Sequence, residues 1–224
     1  MMMNAEPRPD SRRVLPRLVR TAATLLALVA GTAAAENVVE VPVLAAIKAN
    51  NRGVFEVMLV MWDQNPEPDP VALRWHEAGV SLQDTLLDSM AHAFGYAVAR
   101  TPTVRHTGTV SVQGLAYART STDGTSAGAA MAVGFIAVLK GESILRGVAL
   151  TGTFQPDGRI GPVGALPDKL RAAAREGYRT VLIPAGQLHD PRWNLTGLAL
   201  ELNVTVKEVA TIDEAYELMT GRRL

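Results

Sequence analysis

From about residue 146 to the C-terminus the sequence alternates strand-like and helix-like stretches, and this narrows the fold more than any other feature. Strand signals at residues 146–151, 180–183 and 204–209 are separated by helical stretches that begin near Pro167 and Asn194, and a last helix begins at Ile212. Gly177 and Pro184 punctuate these stretches, and Asp157-Gly158 marks a hairpin turn. Ahead of this region the pattern has the shorter period of a hairpin. Val38, Val39, Val41, Val43 and Leu44 mark a strand over Asn37–Ile47, Asn50-Asn51-Arg52-Gly53 a turn, and residues 54–62 its partner strand. Hairpins combined with strand–helix units predict a single mixed α/β domain of the α+β kind.

Between these two regions lie a proline-rich loop (residues 64–70), a helix over residues 81–98 and a strand over residues 108–115. Ser81 is the expected N-cap of the helix, with Asp84 three residues later. A polar loop over residues 118–125 leads into a helix at residues 126–140, rich in Ala and Gly on one side and stopped by Gly141.

Arg8, Arg12, Arg13, Arg17 and Arg20 precede an uncharged run of 15 residues that ends Ala33-Ala34-Ala35. A basic stretch, a short apolar stretch and small residues before the boundary are what a signal peptidase reads. The run is shorter than the roughly 20 residues that cross a bilayer. The expectation is therefore an export signal at residues 1–35, or failing cleavage a membrane anchor, followed by one domain at residues 36–224. This places the domain outside the cytoplasm, periplasmic or extracellular, or tethered and facing the periplasm.

Residues 36–224 hold 17 Lys and Arg against 20 Asp and Glu, a net charge of −3. A mildly acidic body without a basic stripe gives no support to nucleic-acid binding. With no cysteine, disulfides, thiolate metal sites and a cysteine nucleophile are excluded together. His76, His92, His106 and His189 are scattered, with no His-x-x-x-His pair and no His–carboxylate cluster at ligand spacing, so no metal and no other cofactor is expected.

The densest chemistry lies at Asp123-Gly124-Thr125-Ser126-Ala127-Gly128-Ala129-Ala130, at a loop-to-helix junction. Unpartnered backbone N–H groups and the partial positive charge of a helix start suit an oxyanion. A serine there is either a nucleophile or simply a cap. As a nucleophile it needs a base, and a lysine serves if burial or positive surroundings lower its pKa from roughly 10.4. Lys169 falls in the first turn of the helix headed by Pro167, an unfavourable place for a cation. The alternative is a solvated lysine beside Asp168.

Taken together, Asp123-Gly-Thr-Ser126-Ala-Gly-Ala, Leu150-Thr151-Gly152, Gly158-Arg159-Ile160 through Lys169-Leu170, and Thr180-Val-Leu-Ile-Pro184 resemble the proteolytic domain of Lon proteases in order and in spacing. Ser126 and Lys169 are 43 residues apart, and Thr151 and Lys169 are 18 apart. The resemblance implies a Ser-Lys dyad peptidase with Ser126 as nucleophile and Lys169 as general base. It further implies that Thr151 orients the lysine amine, that Asp123 shapes the loop, and that backbone amides of Gly124, Thr125 and Ser126 form the oxyanion hole. It also implies assembly into an oligomer, with a hexameric ring as a common family form.

The sequence departs from the family pattern in the loop before Asp123, with Tyr117, Arg119 and Thr122, and at three further positions. Thr125 stands where proline is usual, Thr153 where an acidic residue follows Thr-Gly, and Ala165 where a second glycine is usual. No Gly-x-x-x-x-Gly-Lys-Ser/Thr occurs in the 224 residues, so the activity is expected to be independent of ATP. Without an unfoldase the substrates are unfolded or extended polypeptides, since a folded one would oppose cleavage by its own stability of about 5–15 kcal/mol. The competing readings are a catalytically silent Lon-like binding or scaffold domain, and a small-molecule kinase that cradles phosphate at Gly124–Gly128.

Overall fold

A computed structural model describes residues 37–47, 52–65, 67–76, 80–82, 84–115, 120–122 and 124–224. The proposed export segment, Asp123 and the loop over residues 116–119 lie outside them. Among the described residues no helix is long and apolar enough to cross a membrane. Residues Glu36–Leu224 form one compact unit.

Alternation places Val39, Val41 and Val43 on one face of strand β1 (Asn37–Ile47). Strand β2 (Arg52–Asp63) pairs antiparallel with it along its whole length, from Asn37 opposite Trp62 to Ile47 opposite Arg52. Next come β3 (Ala72–His76), β4 (Val80–Leu82), helix α1 (Asp84–Arg100), β5 (Thr109–Leu115) and β6 (Thr120–Thr122). A 3-10 turn (Thr125–Ala127) opens directly into α2 (Gly128–Lys140). The rest is β7 (Val148–Leu150), β8 (Thr153–Phe154), β9 (Ile160–Gly161), α3 (Leu166–Arg175), β10 (Thr180–Pro184), α4 (Leu195–Leu202), β11 (Thr205–Val209) and α5 (Ile212–Thr220).

Seven strands form a mixed sheet in the order β11-β10-β7-β1-β2-β5-β3. β1, β7, β10 and β11 run parallel to one another, and β2 is antiparallel to both β1 and β5. The expected mixed α/β architecture is what the structure has. Successive strand residues face opposite sides, so two cores arise. Val43 and Leu150 join α1, α2 and α5 on one face, while Leu44 and Ala149 join α3 and α4 on the other.

Helix α2 is buried from Gly128 to Leu139 without interruption. The expectation of small residues on one side is too narrow, because the helix is enclosed by α1, α5 and the sheet and has no solvent face except at Lys140. Gly134 permits that enclosure: a Cβ there would lie 2.3 Å from Val41 Cγ2.

The N-cap expected at Ser81 is also corrected. Ser81 belongs to β4 and pairs in parallel with Ser121 of β6, and α1 begins three residues later at Asp84. Strand pairing takes the backbone that local capping would have used. Strand β3, unmarked in the sequence, lies at the sheet edge in parallel with β5. The Asp157-Gly158 turn appears as expected between β8 and β9, with Gly158 at φ 81°.

Candidate active site

The site is assembled from both faces of the sheet. Ser126 comes from the 3-10 turn before α2 on one face, and Lys169 from the first turn of α3 on the other. They meet at the carboxyl end of β7, where Thr151 follows Leu150. This is the position at which open sheets with parallel strands generally form their sites.

The chain locks this junction through its backbone. Gly152 N–H donates to the Ser126 carbonyl at 2.9 Å, and Ala129 N–H donates to the Gly152 carbonyl at 3.1 Å. Thr151 N–H donates to the Leu182 carbonyl at 3.1 Å, which ties the same residue to β10. A Cβ on Gly152 would fall 2.3 Å from Ile160 Cγ2, so glycine lets the β8–β9 hairpin close over the turn that carries Ser126.

Thr151 is fully buried and Lys169 is 3% exposed. Lys169 Nζ donates to Thr151 Oγ1 at 3.0 Å, and Thr151 Oγ1 in turn donates to the Ser126 carbonyl at a long 3.4 Å. Burial lowers the Lys169 pKa from 10.5 to about 8. With its hydroxyl proton turned toward Ser126, Thr151 presents a lone pair to the amine. The nitrogen lone pair of a neutral Lys169 is then left for another proton. In this arrangement the amine bonds Thr151 rather than Ser126 Oγ.

Two further features hold α3 in place. Ala165, its N-cap, has φ 54° in the left-handed region, and its carbonyl accepts from the N–H groups of Asp168 and Lys169, both at 3.1 Å. A non-glycine residue pays a steric cost there, which accounts for the glycine the family pattern usually has. On the sheet side, a Cβ on Gly53 would lie 1.8 Å from the Asp168 carbonyl oxygen, and Arg175 Nη2 donates to the Gly53 carbonyl at 2.8 Å. Gly53 therefore sets how closely the turn carrying Lys169 approaches β2. Sequence reasoning read Gly53 only as a turn residue, and nothing local marks its contact with a residue so far along the chain.

On the other side, Gly124 has φ 101°, and its N–H points to Thr85 Oγ1 of α1 at 3.4 Å. Thr125 is exposed and Ser126 partly exposed, so the turn carrying Ser126 is open to a ligand. Thr85, an unmarked position in α1, was not foreseen as a neighbour of this turn. Asp123 is outside the described residues.

A family model for the Lon protease (S16) C-terminal proteolytic domain matches residues 79–219. The chain is also similar to a Lon protease of Haemophilus influenzae, 39% identical over 95 residues, or 42% of this chain and 12% of that protein. A Lon protease of Azorhizobium caulinodans is 46% identical over 71 residues, covering 32% of this chain and 8% of that protein. A Lon protease of Azospirillum brasilense is 37% identical over 111 residues, covering 50% of this chain and 13% of that protein. The chain thus matches only a small fraction of the length of these relatives.

Proposed function

This chain belongs to the family of Lon protease (S16) C-terminal proteolytic domains, and from that premise we propose that it is an ATP-independent serine endopeptidase with a Ser126–Lys169 dyad. The observation that carries the proposal is a lysine only 3% exposed, its amine hydrogen-bonded to a fully buried threonine that also contacts the backbone of the serine turn. A structural lysine gains nothing from such burial, whereas a general base gains a pKa near working pH.

In this reading the neutral Lys169 amine takes the Ser126 hydroxyl proton as Oγ attacks the peptide carbonyl. The resulting oxyanion is held by backbone N–H groups of the turn at Thr125 and Ser126, joined by that of Gly124 as it leaves Thr85 Oγ1. As the C–N bond breaks, the Lys169 ammonium gives its proton to the leaving amine. Water then attacks the acyl group on Ser126, again losing a proton to Lys169, which returns it to Oγ as the acid leaves. Thr151 orients the amine, and Asp123 shapes the loop ahead of the serine.

The substrates proposed are unfolded or extended polypeptides. The enzyme works as a homo-oligomer, with a hexameric ring as the form the family suggests. Residues 1–35 direct it out of the cytoplasm, by cleavage after Ala35 or as a membrane tether. The second reading, a catalytically silent Lon-like binding domain, draws on the Lys169–Thr151 bond, which leaves the amine engaged away from Ser126 Oγ.

Incubation with unfolded casein in the absence of ATP tests the choice. Cleavage by the wild type that is abolished by Ser126→Ala supports the peptidase. A folded, assembled wild type that leaves casein intact supports the silent domain.

A further inference from the structure

A cavity of about 360 Å³ opens beside the nucleophile turn, between α1 and the β8–β9 hairpin. Its wall includes Asp88, Ser89 and His92 of α1, Thr125 next to Ser126, and Phe154 and Pro156 of the hairpin. It is joined to the nucleophile turn by close packing. A Cβ on Gly128, two residues after Ser126, would lie 2.4 Å from Ser89 Oγ and 3.0 Å from Phe154 Cβ. Phe154 is held edge-on against Tyr96, with ring centroids 5.3 Å apart at 62°. The floor of the cavity is therefore apolar and fixed, and it lies against the helix start that carries Ser126.

The rim has a definite charge. Asp88 and His92 are both exposed and stand one turn apart on the same face of α1, while no lysine or arginine lines the cavity. Four other aspartates, Asp157, Asp168, Asp190 and Asp213, each hold an arginine, while Asp63, Asp69 and Asp84 do not. No described residue forms an ion pair with Asp88. The nearest basic side chain on the hairpin, Arg159, is bound to Asp157 at 2.6 Å. A rim carboxylate with an imidazole beside it, above an aromatic floor, suits a long side chain with an apolar stem and a cationic head.

We infer that this cavity is the subsite for a side chain flanking the scissile bond, and that Asp88 makes it select lysine or arginine there. The inference rests on the peptidase reading above and deepens it by naming the substrate class. The methylene stem packs on Phe154 and Pro156, the cation reaches the Asp88 carboxylate, and His92 accepts a further hydrogen bond from it.

The test uses the full chain and matched fluorogenic peptides with Lys, Arg, norleucine or Glu at each position flanking the bond. The wild type is expected to give kcat/KM for the Lys and Arg peptides about tenfold above that for norleucine, and lowest for Glu. Asp88→Asn should collapse the Lys-to-norleucine ratio about tenfold, and Asp88→Lys should favour Glu. Asp190→Asn, at a residue that does not line the cavity and is paired with Arg192, should leave the ratio unchanged. A wild type without the cationic preference, or an Asp88→Asn variant that slows every peptide by one factor, overturns the inference while leaving the peptidase intact. Failure of the folded wild type to cleave any peptide, or cleavage that persists in Ser126→Ala, removes the peptidase reading and this subsite with it.

Discussion

Replacing Lys169 by Met should make the protein more stable at neutral pH while destroying its activity. Lys169 is 3% exposed, and burial lowers its pKa from 10.5 to about 8. The unfolded chain therefore binds a proton more tightly than the native state does. At pH 7, below both values, this opposes folding by about 3 kcal/mol. The penalty fades as pH rises from about 8 to 10.5, where both states hold a neutral amine. Methionine fills similar volume without a charge, but Thr151 then loses the bond it receives from Nζ, worth about 1 kcal/mol. The net expectation is a gain of about 2 kcal/mol at pH 7, and none, or a loss of about 1 kcal/mol, at pH 10.5. Urea denaturation followed by circular dichroism reads this directly, as a midpoint shift on the order of 1 M at pH 7. Other titrating groups are common to both proteins and cancel in the difference. A Met variant less stable than the wild type at pH 7, or a stability gap that does not change with pH, would refute the burial argument.

Three further outcomes follow from the same geometry. Because the base form of Lys169 is neutral, kcat/KM for a peptide should rise about fiftyfold between pH 6 and pH 8 and level off above, with an inflection near 8 in a pH–rate profile. Ala165→Gly removes the steric cost of φ 54° and should stabilise the domain by about 1 kcal/mol in thermal or urea denaturation, with activity retained. Gly53→Ala places a Cβ against the Asp168 carbonyl, and should cost about 1–3 kcal/mol and lower kcat more than it raises KM, since it displaces the turn that carries Lys169, the proposed base.

Much of this arrangement was legible in the sequence where the deciding interactions are local. The β1–β2 hairpin follows from alternating valines, and α2 stops where expected because Gly141 takes φ 67° and its N–H caps the helix carbonyls of Ala137 and Val138. Asn194 caps α4 through Gly197 N–H, and Thr211 caps α5 through Glu214 N–H, both at helix starts read from the sequence. What escaped depends on distant partners. β3 has no strong alternation and exists because β5 offers it a ladder, and Ser81 is drawn into pairing with Ser121 instead of capping α1. Lys169 lies between these cases. Its neighbour Asp168 turns outward to Arg171 at 3.3 Å, as the solvated reading would have it, while Lys169 itself, about 100° further round the helix, turns inward. The helix dipole pointed to a lowered pKa, but burial against the sheet, which no local pattern encodes, is what lowers it.

The central claim is that Ser126 is the nucleophile, and the most direct measurement is rapid acid quench of a peptide or activated-ester substrate followed by peptide mass mapping. The account predicts a transient acyl adduct on the fragment containing Ser126, absent from Ser126→Ala and formed far more slowly in Lys169→Met. Substrate turnover with no adduct on Ser126, undiminished in Ser126→Ala, would contradict it.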